Sequence, residues 1–281
     1  MDLTLQIEPT RMCNLDCSIC MRKNIKKPIN SFLTFNNFKK ICDNAVLSKM
    51  FQYIGLHGWG EPLLNKELFK MVEYAEDKGL ATNLTTNGRL INERFEEIFK
   101  SGLREIAFGV YNKNLLREVV PSIRELIKIR NHRCLKIPKT YFDITICKES
   151  LSDIQNFIEI AQELRIDAVI LHRLFNVYKV DPSVKYISQE EEKMLFEKVK
   201  EIGRKNGMEI YLPVRHKYPC KVVKYSIFIT VDGDITPCCF LPEYTLGNIF
   251  EMELSEVFAS DGYKNFKKRM PDNQICGRCR W

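Results

Sequence analysis

Cys13, Cys17 and Cys20 stand in the run Arg11-Met12-Cys13-Asn14-Leu15-Asp16-Cys17-Ser18-Ile19-Cys20, a C-x3-C-x2-C spacing that directly follows a strand-like segment. Thiolates gathered this closely on a loop are soft ligands suited to an iron–sulfur cluster or to zinc. A cubane has four irons, so three cysteines leave one iron without a protein ligand, open to substrate or cofactor. The alternative is a zinc knuckle lacking its fourth ligand, and no histidine lies nearby to supply one. Towards the other end, Cys220, Cys238, Cys239, Cys276 and Cys279 make a second group. Its last pair is C-x2-C around Gly277, which frees the backbone to wrap a metal. That pair would equally suit a zinc ribbon.

At these residues the chain resembles the radical S-adenosylmethionine (SAM) superfamily, in which C-x3-C-x2-C holds a [4Fe–4S] cluster whose open iron chelates the amino and carboxylate groups of SAM. Two further stretches carry the resemblance. Gly58-Trp59-Gly60-Glu61-Pro62 is similar to the family's Gly-Gly-Glu-Pro segment, which contacts the methionine amino group, although Trp59 departs from the commoner form. Thr85-Thr86-Asn87-Gly88 is similar to the Thr-Asn-Gly end of the third strand. The resemblance implies Gly58, Gly60, Glu61, Thr85 and Asn87 as SAM-binding residues. It adds Arg173, because family members place groups that reach SAM or substrate at the end of the sixth strand. His172 and Arg173 both end that strand, and only one of them can point inward; an arginine there would suit a carboxylate.

The C-terminal cysteines resemble the SPASM and twitch domains appended to some radical SAM enzymes. Full SPASM domains bring more cysteines, for two auxiliary clusters. Here the resemblance implies one fully ligated [4Fe–4S] on Cys220, Cys238, Cys276 and Cys279. Butirosin-type aminoglycoside dehydrogenases have the same order and similar spacing, and some peptide epimerases share the Pro-Cys-Cys and Cys-Gly-x-Cys elements. Two [4Fe–4S] clusters and SAM are the cofactors this implies.

The elements that must position these residues alternate as strand and helix, the rhythm of a parallel α/β fold. Strands are predicted at 3–8, 53–57, 81–85, 105–111, 141–147 and 168–175, with helices at about 35–50, 66–78, 93–101, 115–130 and 153–164. Gly79 and Gly102 fall just past helix ends, where a left-handed residue belongs. Six such units are too few for a closed eight-unit barrel, and the resemblance implies a partial (β/α)6 TIM-like barrel with a small C-terminal α+β auxiliary-cluster domain. Period two places Thr4, Gln6 and Glu8 on one face, likewise Asn83, Thr85 and Asn87, and Tyr141, Asp143, Thr145 and Cys147. One polar face recurring on three strands points to a wet lumen. A long charged helix over 188–206 ends at Gly207. Beyond it, a strand over 225–231 meets Asp232-Gly233, a type I′ hairpin signal, and a helix runs over about 254–269. The expected division is residues 1–185 for the barrel, 186–215 for a connecting helix and strand, and 216–281 for the auxiliary domain.

Composition bounds the rest. The 281 residues are 45% hydrophobic, enough for one large domain and a small one, and no apolar run approaches a membrane span. The N-terminus lacks a signal-peptide pattern, and clustering of the eleven cysteines reads as metal ligation in a reducing compartment, so a cytoplasmic protein is expected. The formal charge of +7 is dispersed over helix faces in which Glu and Lys alternate, which disfavours nucleic acid. Cys42 and Cys147 read as packing residues, Cys134 as a loop residue without a role, and His57 as an ordinary hydrogen-bonded lumen residue. Cys239 is a candidate hydrogen donor beside a cluster ligand.

Together these readings predict an enzyme that cleaves SAM reductively and abstracts hydrogen from an unactivated carbon. The first barrel strand starts at residue 3, with no recognition domain ahead of it. This tilts the substrate towards a small polar molecule rather than a short peptide. The predicted outcome is oxidation assisted by the second cluster, with epimerisation or other modification of a peptide as the alternative. An external one-electron donor of the flavodoxin or ferredoxin type is implied. A non-catalytic two-cluster electron carrier is the contrasting class.

Overall fold

Six parallel strands follow one another in the chain and in space: β1 (Leu3–Ile7), β2 (Phe51–Leu56), β3 (Ala81–Thr86), β4 (Glu105–Val110), β5 (Lys139–Ile146) and β6 (Ala168–Arg173). Between them run α1 (Phe35–Ser48), α2 (Leu68–Asp77), α3 (Phe95–Lys100), α4 (Lys113–His132) and α5 (Ile154–Leu164). The computed structural model describes residues 3–179 and 181–279. The last two residues of the expected auxiliary domain, Arg280 and Trp281, therefore lie outside the described residues.

Alternation along the strands separates two environments. Leu5, Ile7, Ile54, Leu84, Ile106, Phe142 and Ile144 are fully buried and pack under the helices against side chains such as Phe38, Ile41, Val72, Ile98, Ile123 and Phe157. Each such side chain contributes roughly 1.5–3 kcal/mol on leaving water. The intervening residues Gln6, Asn83, Thr85, Tyr141, Asp143 and Thr145 line a cavity inside the curved sheet, as the polar faces predict. Cys147 does not: it is buried with Leu174 and Val184, its thiol against Ser150 Oγ at 3.2 Å. Cys42 is core on α1, and Cys134 is exposed. Gly79 and Gly102 take positive φ, 81° and 78°, just past α2 and α3.

Past β6 comes α6 (Gln189–Asn206), opened by a capping box in which Ser188 and Glu191 exchange hydrogen bonds and closed by Gly207 at φ 63°. It delivers β7 (Glu209–Tyr211) to the free edge of β6, in parallel. At the opposite edge, β8 (Ser226–Ile229) lies parallel to β1, with Gln6 opposite Phe228. Antiparallel β9 (Asp234–Thr236) and β10 (Gly247–Asn248) continue the sheet outward. The C-terminal region is thus hydrogen-bonded into the same ten-stranded sheet as the barrel. Its own small core is Val223, Leu241, Tyr263, Phe266 and Met270. Among the described residues no helix is long and apolar enough to cross a membrane.

Three local expectations are corrected. The strand expected over 225–231 is shorter, because 221–225 winds into α7 (Lys221–Tyr225), with Ser226 Oγ donating to the Val222 carbonyl at 2.8 Å. The turn at Asp232-Gly233 is not type I′, which needs positive φ at two successive residues; only Gly233 has it (86°). The Gly233 N–H donates to the Thr230 carbonyl at 2.8 Å, making a longer loop with one left-handed glycine. The helix expected over 254–269 is two, α8 (Leu254–Ala259) and α9 (Asp261–Lys268), because Ser260 leaves helical ψ (148°) and caps the second by accepting from Tyr263 N–H.

Candidate active site

The first cysteine loop leaves the carboxyl end of β1 and is anchored before it begins. Arg11, 1% exposed, pairs through Nε with Glu8 Oε2 at 3.2 Å and through Nη2 with Asp232 Oδ2 at 2.8 Å. Glu8 also accepts from the Val231 N–H at 3.1 Å. A sealed pair of this kind is costly to break from one side, and it ties the loop to the β8–β9 turn. Glu8, expected on the lumen face, is spent on this anchor.

The segment after β2 presses on the same loop. A Cβ on Gly60 would lie 2.2 Å from the Thr10 carbonyl oxygen and 2.5 Å from that of Met12, so only glycine allows the approach. That approach lets the Glu61 N–H donate to Met12 O at 2.7 Å. A Cβ on Gly58 would sit 2.9 Å from Glu8 Cγ. The Glu61 carboxylate is buried and accepts from Leu63 N–H (3.0 Å), Thr86 Oγ1 (2.7 Å) and Asn87 N–H (2.8 Å). Burial pushes its pKa up while those three donors pull it down. Asn87 in turn donates from Nδ2 to Asn14 Oδ1 at 2.7 Å, with Cys13 Sγ at 3.9 Å. Gly60, Glu61 and Asn87 form one clasp that holds the cysteine loop over the lumen, and Thr85 lies beside it on the cavity wall.

Cys13, Cys17 and Cys20 all open onto a cavity of about 640 Å³. Burial pushes the Cys17 thiol up to about 11, with Cys20 and Cys13 adding to the shift. Cys13 Sγ accepts from the Leu15 N–H at 3.4 Å. The second set behaves alike: the Cys276 thiol is pushed up to about 12 by burial and by Cys238, Cys279 and Cys220 around it. Crowded neutral thiols of this kind become low-energy thiolates only when a cation takes the protons' place. Cys13 and Cys20 lie close enough to Cys17 to act on its charge, and Cys220, Cys238 and Cys279 close enough to act on that of Cys276, two sets of soft donors suited to iron–sulfur groups.

Cys239 stands between the two sets. Neighbouring side chains diverge on an extended backbone, but Pro237–Phe240 is not extended: the Leu241 N–H turns back to the Cys238 carbonyl at 2.9 Å. The Cys239 thiol therefore reaches Cys238 while Cys239 also lines the barrel cavity. Its carbonyl accepts from Trp59 Nε1 at 3.0 Å. Trp59 packs on Phe240 with ring centroids 5.6 Å apart, and Phe240 stacks on Phe175 at 3.8 Å. This aromatic wall, which sequence reasoning missed, borders the cavity and packs in one cluster with Cys279 of the C-terminal set. Trp59 is the departure from the commoner motif, and here it has a packing role.

Arg173 has its guanidinium committed elsewhere: Nε and Nη2 pair with Glu192 at 2.5 and 2.9 Å, and Nη1 donates to the Val214 carbonyl at 2.6 Å. Arg173 and His172 nevertheless both border the cavity, where His172 Nε2 lies 3.3 Å from Asp143 Oδ1. His57 lies beside His172, and burial together with that neighbour lowers the His57 pKa to about 4. Tyr111 was also missed, although period two from Ala107 and Gly109 leads to it. Its hydroxyl lies over Gly109, where a Cβ would be 2.3 Å away, and burial keeps it protonated well above neutral pH.

The depressed His57 pKa makes a pH prediction. Unfolded, the imidazole titrates near 6.5; folded, near 4, so between those values the unfolded chain binds the extra proton. Stability is complete above about pH 6.5 and falls by up to about 3 kcal/mol as pH drops through 4. Urea denaturation of wild type and His57→Gln checks this: the slope between pH 6.5 and 4 should flatten in the variant.

A partial barrel with a three-thiol loop over its lumen, and a four-thiol set beside an aromatic wall, defines an iron–sulfur barrel enzyme. Residues 7–171 match the radical SAM superfamily, and residues 220–280 match SPASM, an iron–sulfur cluster-binding domain. The chain belongs to the radical SAM superfamily, and its cofactors are SAM and iron–sulfur clusters. It is 22% identical over 295 residues to the tungsten-containing aldehyde ferredoxin oxidoreductase cofactor-modifying protein of Pyrococcus furiosus, covering 94% of this chain and 82% of that one. The fold is similar to Streptococcus suis SuiB bound to S-adenosylmethionine (TM-score 0.80, 20% identity, 99% of this chain and 71% of that one). It is also similar to BtrN in complex with AdoMet and 2-DOIA (TM-score 0.62, 16% identity, 99% and 93%).

Proposed function

We propose that this radical SAM enzyme removes hydrogen from a small polar substrate held in the barrel and carries out a net oxidation. One observation supports the reading above others: the three-thiol loop, the Glu61–Asn87 clasp and Cys239 all border a single cavity. When bound, the N-terminal cluster and SAM supply a 5′-deoxyadenosyl radical able to take hydrogen from an unactivated carbon. Cys13, Cys17 and Cys20 would hold that cluster, and Cys220, Cys238, Cys276 and Cys279 the second. Gly58, Gly60, Thr85 and Asn87 would border SAM, with Glu61 positioning them; Arg173 braces the end of β6 against α6. A space of about 640 Å³ has to admit SAM together with the reacting part of the substrate, which fits a molecule of sugar size. The wall of Trp59, Phe240 and Phe175 would keep water from the lumen.

We read residues 1–185 as the barrel, 186–215 as the connection and 216–281 as the auxiliary domain, in a cytoplasmic protein served by an external one-electron donor. Anaerobic incubation with SAM and dithionite tests the central claim: 5′-deoxyadenosine should accumulate, and its absence from a fully reconstituted protein would refute it.

The place of Cys239 supports a second reading, in which its thiol returns hydrogen to the substrate radical and the outcome is epimerisation. Turnover in deuterated water separates the two. Oxidation predicts a product two hydrogens lighter, formed equally by Cys239→Ser. Epimerisation predicts one solvent deuterium in the product and loss of turnover in the variant.

A further inference from the structure

The net charge of +7 is not dispersed as the alternating helix faces suggest. Residues 215–225 and 261–279 carry nine basic and two acidic residues, a surplus equal to that of the whole chain, and the remaining residues are balanced. The two segments meet. The Tyr263 hydroxyl donates to the Val223 carbonyl at 2.8 Å, the Cys220 N–H to Met270 Sδ at 3.4 Å, and the Tyr218 hydroxyl to the Cys276 carbonyl at 2.7 Å. Val223, Tyr263, Phe266 and Met270 turn inward to the small core. Lys217, Lys221, Lys224, Lys264, Lys268 and Arg278 are left exposed around Cys220 and the Cys276–Cys279 loop. None of the nine basic residues pairs with a carboxylate of a described residue, whereas at α4 Arg124 and Arg133 hold Glu163 and Glu96. The dipole of α9 favours basic residues at its end, which accounts for Lys267, Lys268 and Arg269 only. Crowded like charges repel, Lys264 and Lys268 at i,i+4 included, so for the chain alone the patch is a cost. Nor does it serve the substrate chamber, because none of the nine borders the barrel cavity. What it surrounds is the second thiol set, in the iron–sulfur cluster-binding domain. From there side-chain packing runs on to the first set: Cys279, Phe240 and Trp59 lie against Met21, Phe175 and Val177, and Met21 directly follows Cys20. Tyr218 and Tyr225, 43% and 37% exposed, give the patch an aromatic centre within its charged rim, the anatomy of a docking surface.

We propose that this basic face of the C-terminal domain docks a small acidic one-electron carrier protein. This rests on the reading that an external carrier serves the enzyme, and it assigns where that carrier sits. One electron passes from the reduced carrier to the iron–sulfur group that the second thiol set would hold; the carrier is oxidised by one electron, and no atom or proton is transferred. Opposite charge steers such an encounter and fixes its orientation, while a small contact lets the spent carrier leave. A nucleic acid would meet the same charge, but as a substrate it has to enter the cavity, to which the patch contributes nothing.

The test is calorimetric binding of an acidic flavodoxin to the reconstituted holoprotein under anaerobic conditions. Wild type should bind it, and raising the salt from about 50 to about 200 mM should weaken binding several-fold, as screened charges require. Lys217→Glu, Lys224→Glu and Lys264→Glu together should weaken it at least about tenfold. Lys193→Glu, Lys198→Glu and Lys200→Glu, exposed on α6, make the same change in net charge and should leave affinity within about twofold. Both triple variants should keep the wild-type iron content and release 5′-deoxyadenosine with dithionite, which needs no docking; this also shows that they fold. Equal losses in the two variants, or a loss in neither, overturn the docking face. So does a duplex oligonucleotide that binds more tightly than flavodoxin and is lost with the same three lysines. Flavodoxin that drives 5′-deoxyadenosine release yet binds both variants alike refutes the face and leaves the carrier. Flavodoxin that neither binds nor drives release refutes the carrier reading itself.

Discussion

Alanine at Cys13, Cys17 and Cys20 together is expected to abolish release of 5′-deoxyadenosine and to reduce bound iron from about eight to about four per chain, the content of one remaining cubane. The two thiol sets belong to separate cores. The first hangs from β1 over the barrel, held by Arg11 and the Glu61–Asn87 clasp, whereas Cys220, Cys238 and Cys276 pack on the small cluster of Val223, Leu241, Tyr263, Phe266 and Met270. The losses should therefore be independent. Alanine at Cys276 and Cys279 should strip the other iron and leave SAM cleavage at the first site measurable. Cys42→Ala is the control: fully buried in the core, it should cost stability and no iron. Iron determination and product chromatography on the variants check the scheme. Retained cleavage without the first three cysteines would sink it.

The chemistry was legible in the sequence wherever it rests on local spacing. C-x3-C-x2-C and the period-two polar faces are properties of a few consecutive residues, and Gln6, Asn83, Thr85, Asp143 and Thr145 reached the lumen as predicted. Contacts across long separations were not legible. Nothing near Arg173 announces Glu192 and Val214 as its partners, and nothing near β1 says that β8, more than 200 residues later, will lie parallel beside it. The hairpin misreading has a different cause. Asp-Gly favours type I′ when two strands end flush against it, and here the last ladder pair is Ile229 with Ile235, which leaves a loop too long for that turn. Cys239 shows the hazard of assuming an extended backbone. The turn closed by the Leu241 N–H on the Cys238 carbonyl brings the Cys239 thiol against its neighbour, where an extended backbone would have sent the two apart.

Glu61 carries the other large effect. The carboxylate is almost fully buried, 2% exposed, and its two oxygens are already taken by three protein donors. Glu61→Gln keeps the shape but turns one acceptor into a donor. Oε1 can still serve Leu63 and Thr86, while the new amide N–H₂ faces the Asn87 N–H in a closed site. A buried donor left without an acceptor costs about 1–3 kcal/mol, so the melting temperature should fall. Glu61→Ala strands all three donors and should cost roughly 3–5 kcal/mol, within the range for a broken buried network. The functional loss follows the same bonds, because Asn87 holds Asn14 beside Cys13. SAM affinity should drop about tenfold or more in Glu61→Gln, while the iron content stays near wild type. Thermal denaturation, equilibrium SAM binding and iron determination on the same preparations separate the causes. A carboxylate that touched SAM and nothing else would lose affinity with no change in melting. One that positions the loop must lose both, and unchanged melting would refute the clasp.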